Sequence, residues 1–242
     1  MANSQRTTNS ITRRAIGSLL ALLCSGAFIA AALPAHQVRE DIEWLDVWLP
    51  HTNDHDLPHV LLIGDSITRG YGPEVEKALA GRVYVGRLAT SKSLGDPALL
   101  SEVELILRNN RVDVIHFSNG LHGSKYTEAE YVAAIPALLA AFKRTAPKAR
   151  LIWASSTDVV GARRPDDLTP SRIAERNRLA ATVVTKQGIP VDDLFTVVNN
   201  HADYHLADGV HFTAQGYRIL AGHVAASVSS VLDGQNPQPS HP

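Results

Sequence analysis

Three short segments of this chain carry side chains that could do chemistry together. The first is Gly64-Asp65-Ser66-Ile67-Thr68, directly after the apolar run Val60-Leu61-Leu62-Ile63. A serine where a strand turns into a helix can offer its hydroxyl while its own backbone N–H faces a bound carbonyl oxygen. The same place also suits an ordinary helix N-cap, which asks nothing of catalysis. The second segment is Asp208-Gly209-Val210-His211-Phe212. Its carboxylate can meet one imidazole nitrogen and leave the other to take a proton from a hydroxyl. Alone, Asp-Gly is a common turn with a surface histidine beside it. The third is Ser118-Asn119-Gly120-Leu121-His122-Gly123. An asparagine at a strand end can aim its amide at an oxyanion, or be a turn residue tolerant of unusual backbone angles. A serine, an asparagine and an Asp/His pair in this order are far more specific together than any one of them.

A metal centre is the rival chemistry. The chain has 11 histidines, and His201, His205, Asp208 and His211 lie close together. Their spacing crosses a turn, however, and no helical His-Glu-x-x-His pattern is present, so neither metal nor other cofactor is expected. His116 and His122 flank the asparagine segment and could pack or face a substrate.

The elements that must position these residues follow from periodicity. Val60–Ile63, 82–88, 112–117, 151–154 and 189–191 read as strands. Helices are expected over 73–79, 97–107, 128–144, 171–187 and 214–232, with Pro73 in a first turn and Gly188 as a stop. Strands alternating with helices predict an α/β fold with a parallel sheet covered on both faces. Ligands of such sheets bind beyond the carboxyl ends of the strands, where all three segments fall.

Arg13 and Arg14 precede an apolar stretch from Ala15 to Leu33, followed by Ala35. Residues 1–35 therefore read as a signal peptide, with a weaker twin-arginine likeness and an uncleaved anchor as the alternative. The reading predicts export, periplasmic or secreted, without stable membrane insertion after cleavage. Residues 36–234 are expected to form the domain, with 36–58 a lead-in packed upon it, and 235–242 a disordered tail. A net charge of −1 offers no basic excess for nucleic acid. The apolar share of 45% and charged share of 19% are ordinary for a globular protein. Cys24 is the only cysteine, so disulfides say nothing of compartment, and the sequence says nothing of oligomeric state.

Gly64-Asp65-Ser66 resembles the first block of the SGNH/GDSL hydrolases, Asn119 their third-block asparagine, and Asp208-x-x-His211 their fifth block. Thr68 separates the first block from the Gly-x-Ser-x-Gly elbow of other hydrolases. The resemblance implies a flavodoxin-like three-layer α/β/α sandwich with a central parallel sheet, hydrolysing carboxylic esters without a metal. It also implies Ser66 as nucleophile, His211 as base and Asp208 as its orienting carboxylate. Asn119 and the Ser66 N–H would be oxyanion donors. Two departures stand out. Gly120 replaces the aspartate that usually follows the asparagine, a place His122 could fill. The second-block glycine has two registers, Ala89 by strand length and Gly95 by its Gly-Asp pair. Asp65 and His122 are candidate substrate contacts. The expected substrate is a small or carbohydrate ester with a short acyl group, ahead of lysophospholipid, thioester or aryl ester. A catalytically silent carbohydrate-binding protein is the non-enzyme alternative, which retention of serine, aspartate and histidine disfavours.

Overall fold

The computed structural model describes Met1, residues 36–161 and residues 167–234. The expected signal peptide (1–35) beyond Met1 and the expected tail (235–242) lie outside the described residues. One sheet is built from β1 (Leu45–Trp48), β2 (His59–Gly64), β3 (Tyr84–Thr90), β4 (Val114–Phe117), β5 (Arg150–Ala154) and β6 (Val191–Asp192), in the order β1-β3-β2-β4-β5-β6. Around it lie α1 (Ser66–Ala78), α2 (Pro97–Asn109), α3 (Glu128–Ala133), α4 (Ile135–Thr145), α5 (Pro170–Thr185), α6 (Leu194–Val198) and α7 (Ala214–Leu232).

The continuous apolar run of β2 has the cause the sequence suggests. Val60 and Leu62 face Tyr71 and Val75 of α1 and Leu220 and Val224 of α7. Leu61 and Ile63 face Leu99 and Val103 of α2 and Leu138 and Phe142 of α4. Both faces are covered, and each fully buried aliphatic side chain contributes roughly 1.5–3 kcal/mol. The three-layer α/β/α expectation is borne out.

Several boundaries differ from expectation. The lead-in is not merely packed on the domain: β1 joins the sheet antiparallel to β3, so the sheet is mixed rather than wholly parallel. Leu45, Val47 and Trp48 are exposed, which erases the alternation that marks a half-buried strand. α1 starts at Ser66, not at Pro73, and continues through that proline with Tyr71 and Val75 buried on either side of it. The helix expected over 128–144 is two helices, broken at Ala134. Pro136 has no N–H to give the Val132 carbonyl, and Ala134 N–H bonds Tyr131 O instead. α6 and a 3-10 turn over Ala202–Tyr204 were not anticipated.

Chain order reverses at β2, because the chain leaves it for β3 on one side and returns as β4 on the other. The crevice beyond the carboxyl ends of β2, β3 and β4 is therefore the switch point of the sheet.

Candidate active site

Gly64 ends β2 against close neighbours: a Cβ there would lie 2.1 Å from Thr68 Oγ1 and 2.5 Å from the Ser118 carbonyl oxygen. That tight exit brings Asp65 to the N-cap of α1, where its carboxylate accepts the Ile67 N–H at 2.9 Å. Because Asp65 caps the helix, Ser66 becomes the first helical residue and its hydroxyl has no capping role. Its Oγ lies 2.9 Å from His211 Nε2.

His211 Nδ1 lies 2.7 Å from Asp208 Oδ2. Asp208 Oδ1 accepts the backbone N–H groups of Val210 and His211 at 2.8 and 2.9 Å. Burial works to raise the Asp208 pKa, but these N–H groups and the imidazole outweigh it and hold the pKa at about 2. An ionised carboxylate at Nδ1 places the ring proton there, leaving the Nε2 lone pair to face the serine hydroxyl. The turn is anchored on both sides. Leu206 N–H donates to His211 O at 2.7 Å, Phe212 is buried in the core, and Thr213 caps α7.

Asn119 follows β4, whose end is fixed beside β2 by the Ser118 N–H to Ile63 O bond of 2.9 Å. It is buried, and its amide is engaged. Oδ1 accepts Leu94 N–H at 2.9 Å, and Nδ2 donates to Lys92 O at 2.8 Å. One of the two Nδ2 hydrogens is thus committed to holding the loop after β3, and the second can point at an oxyanion. The two registers for the remaining donor separate clearly. Ala89 sits inside β3 opposite Asp46 on one side and Gly64 on the other, so its N–H belongs to the sheet. Gly95 is the third residue of the turn Ser93–Asp96, closed by Asp96 N–H to Ser93 O at 3.0 Å. Its φ of +108° favours glycine, and its own N–H is not used by the turn bond.

Asp65, expected as a substrate contact, is the N-cap of α1. It is 4% exposed and turned to the helix N-terminus, where burial raises its pKa despite the nearby imidazoles. His122, the other expected substrate contact, meets Glu40 of the lead-in through Nδ1, 3.1 Å from Oε1. The histidine cluster of the metal reading does not converge. His201 stacks on Tyr204, and His205 is buried with its ring nitrogens facing the carbonyls of His201 and Asp158. Among the described residues no group of three or more His, Cys, Asp or Glu could hold a metal. His116 is fully buried and bonds Asp192 at 2.9 Å, away from the crevice.

Sequence reasoning missed the residue that holds the Asn119 loop. Arg176 of α5 is fully buried and donates to the carbonyls of Gly120, His122, Gly123 and Tyr126 at 2.9–3.1 Å. It also lies 4.8 Å over the Tyr131 ring, whose hydroxyl donates to Asn119 O. A signal existed: Ile173, Ala180 and Val184 line the buried face of α5, and Arg176 shares that face.

Residues 107–219 match the GDSL-like Lipase/Acylhydrolase family. The match includes Asn119, Asp208 and His211, and Ser66 precedes it. It bears out the resemblance read from the sequence blocks and the reaction class, hydrolysis of carboxylic esters. No curated protein matches the sequence. Solved structures share the fold. An aryl esterase of M. smegmatis is 16% identical with a TM-score of 0.62, over 72% of this chain and 99% of its own. A carbohydrate acetylesterase of Sinorhizobium meliloti is 14% identical with a TM-score of 0.62, over 72% and 99%. A lipase/acylhydrolase of Enterococcus faecalis is 21% identical with a TM-score of 0.59, over 76% and 100%.

Proposed function

We propose that this carboxylic ester hydrolase is a serine esterase working through an acyl-enzyme. His211 Nε2 takes the Ser66 proton as Oγ attacks the ester carbonyl. The tetrahedral oxyanion is met by the N–H groups of Ser66 and Gly95 and by the Asn119 amide. His211 then gives the proton to the leaving alkoxide, and the acyl group stays on Ser66. Water, deprotonated by His211 in turn, repeats the attack and releases the acid. The observation that carries this reading is the unbroken chain Ser66 Oγ to His211 Nε2 at 2.9 Å and His211 Nδ1 to Asp208 at 2.7 Å.

The acyl group we assign is short. Val210, the sequence neighbour of His211, joins Leu121, Val159 and Leu168 on one side of a small recess that Glu40, Ser124 and Asp167 complete, room for a few carbons and not for a long chain. A carbohydrate acetyl ester fits that recess, and one neighbour in fold bears such a name. The Arg13-Arg14 leader supports export as the place of action.

An organophosphonate tests the reading. It should label Ser66 alone, and labelling should vanish in His211→Ala. Ser66→Ala should lose about 10⁴–10⁶ in kcat, while EDTA leaves the wild-type rate unchanged. Full activity in Ser66→Ala sinks the mechanism.

A further inference from the structure

Residues 36–44 precede β1 and are fastened across the carboxyl ends of the strands. Val38 N–H donates to Tyr126 Oη at 3.0 Å, and Arg39 Nε lies 3.2 Å from Asp96. Glu43 accepts the Ser91 hydroxyl at 2.6 Å and pairs with Lys92, and Trp44 N–H donates to Ser91 Oγ at 2.9 Å. These partners sit on the loops that carry Gly95 and His122. The lead-in is therefore a wall of the crevice as well as an edge of the sheet.

Glu40 joins this wall to the Asn119 loop. Its Oε1 lies 3.1 Å from His122 Nδ1 and accepts Gly123 N–H at 3.2 Å. Asp208 holds His211 in the same manner, through one ring nitrogen and backbone N–H groups. Between the strap and the loop lies an open cleft lined by Arg39, Glu40, Asp41, His122, Ser124 and Lys125. It shares Glu40, Ser124 and Asp167 with the recess that Val210 lines. The recess mixes apolar side chains with two carboxylates, whereas the open cleft carries charges of both signs on Arg39, Glu40, Asp41 and Lys125.

We propose that the cleft headed by the Glu40–His122 pair binds the alcohol half of the ester, and that this alcohol carries further hydroxyl groups, as a sugar or polyol does. The inference rests on the esterase reading and assigns its second subsite. With Nδ1 held by Glu40, Nε2 is the remaining polar edge of His122. It accepts when the ring is neutral and donates when the ring is charged, and a hydroxyl satisfies either state. Hydroxyl groups meeting charged side chains form the stronger, charge-assisted class of hydrogen bond. An alkyl or aryl leaving group would strip water from these charges and return nothing.

The test uses two acetates with different leaving groups, a monoacetylated methyl glucoside and phenyl acetate, on the full chain. Glu40→Gln and His122→Ala should each lose at least tenfold more kcat/KM on the sugar ester than on phenyl acetate, with the difference in KM. His122→Gln, which keeps a polar group near the Nε2 position, should retain part of the preference. Equal losses on both substrates would mean that the pair only positions the Asn119 loop, and the subsite is wrong. No loss on either overturns it as well. A wild-type protein that cleaves phenyl acetate and no acetylated sugar overturns the polyol assignment while the esterase stands. Failure on both esters, with no labelling of Ser66, brings down the esterase reading itself.

Discussion

Asn119 serves two ends with one side-chain amide. Its Oδ1 and one Nδ2 hydrogen hold Leu94 and Lys92, so the loop bearing Gly95 is fixed by the same group whose second hydrogen can meet the oxyanion. A donor of that kind is felt most as charge develops in the transition state. Asn119→Ala should lower kcat about 10²–10³-fold with a smaller change in KM, the scale of one lost oxyanion donor. Steady-state kinetics decide the matter, since an effect on KM alone would make Asn119 a ground-state contact. Asp208 is the simpler case. Its pKa of about 2 keeps it ionised in mild acid, so loss of activity there belongs to another group. Asp208→Asn should keep the fold and lose on the order of 10⁴ in kcat, through tautomer and charge together.

At the scale of elements, α5 reaches across to organise a loop that β4 only begins. Arg176 gives its guanidinium hydrogens to four carbonyls between Gly120 and Tyr126. Burial lowers its pKa, against Tyr131 and Glu128 and with Arg172 adding to the fall. Arg176→Met fits the space but strands those carbonyls away from water. It should cost on the order of 3 kcal/mol in urea unfolding, and Arg176→Lys should recover part of that. The catalytic segments were legible because each has a local cause: a glycine exit, an Asp-Gly turn, an asparagine ending a strand. The Arg176 clamp was not, because its partners are carbonyls, which leave no trace in residue type. The start of α1 was missed because Pro73 resembles a first turn, whereas the true cap is Asp65. That error also hid Asp65's role, since a cap looks like a site residue until the helix is known to begin beside it. β1 escaped notice because an exposed edge strand shows no alternation, and Glu40 because its partner lies 82 residues away.

Beyond the Asp208–His211 and Glu40–His122 pairs, a further carboxylate–imidazole group lies in the interior and ties several elements of the molecule together. Asp192 at the end of β6 accepts from His116 Nε2 of β4 at 2.9 Å, and His223 Nε2 of α7 stands 3.1 Å from its other oxygen. Tyr71 of α1 packs edge-on against His116, so two helices and two strands meet there. Burial works to raise the Asp192 pKa, but His116 and His223 outweigh it and bring it to about 2. The carboxylate therefore stabilises the fold fully above its unfolded value of 3.8, and this contribution is lost as pH falls toward 2. His223 runs the other way. Asp192 raises its pKa above 6.5 against partial desolvation, with Asp193 adding to the rise. Its contribution is fully present below 6.5 and fades as pH climbs through the raised value. Glu43 and Asp208 share the acid limb, and His122 shares the alkaline one, so the wild-type profile alone does not isolate the group. Comparing variants does. Urea midpoints measured from pH 3 to pH 9 should fall at both ends for the wild type. Asp192→Asn should lower the midpoint most in the middle of the range and flatten both limbs, because it removes the partner of both imidazoles. His223→Gln should flatten the alkaline limb most and the acid limb only in part, because His116 still holds the Asp192 pKa down. If Asp192→Asn shifts the midpoint equally at every pH, Asp192 contributes packing and not charge, and its tie between β4, β6 and α7 is not electrostatic.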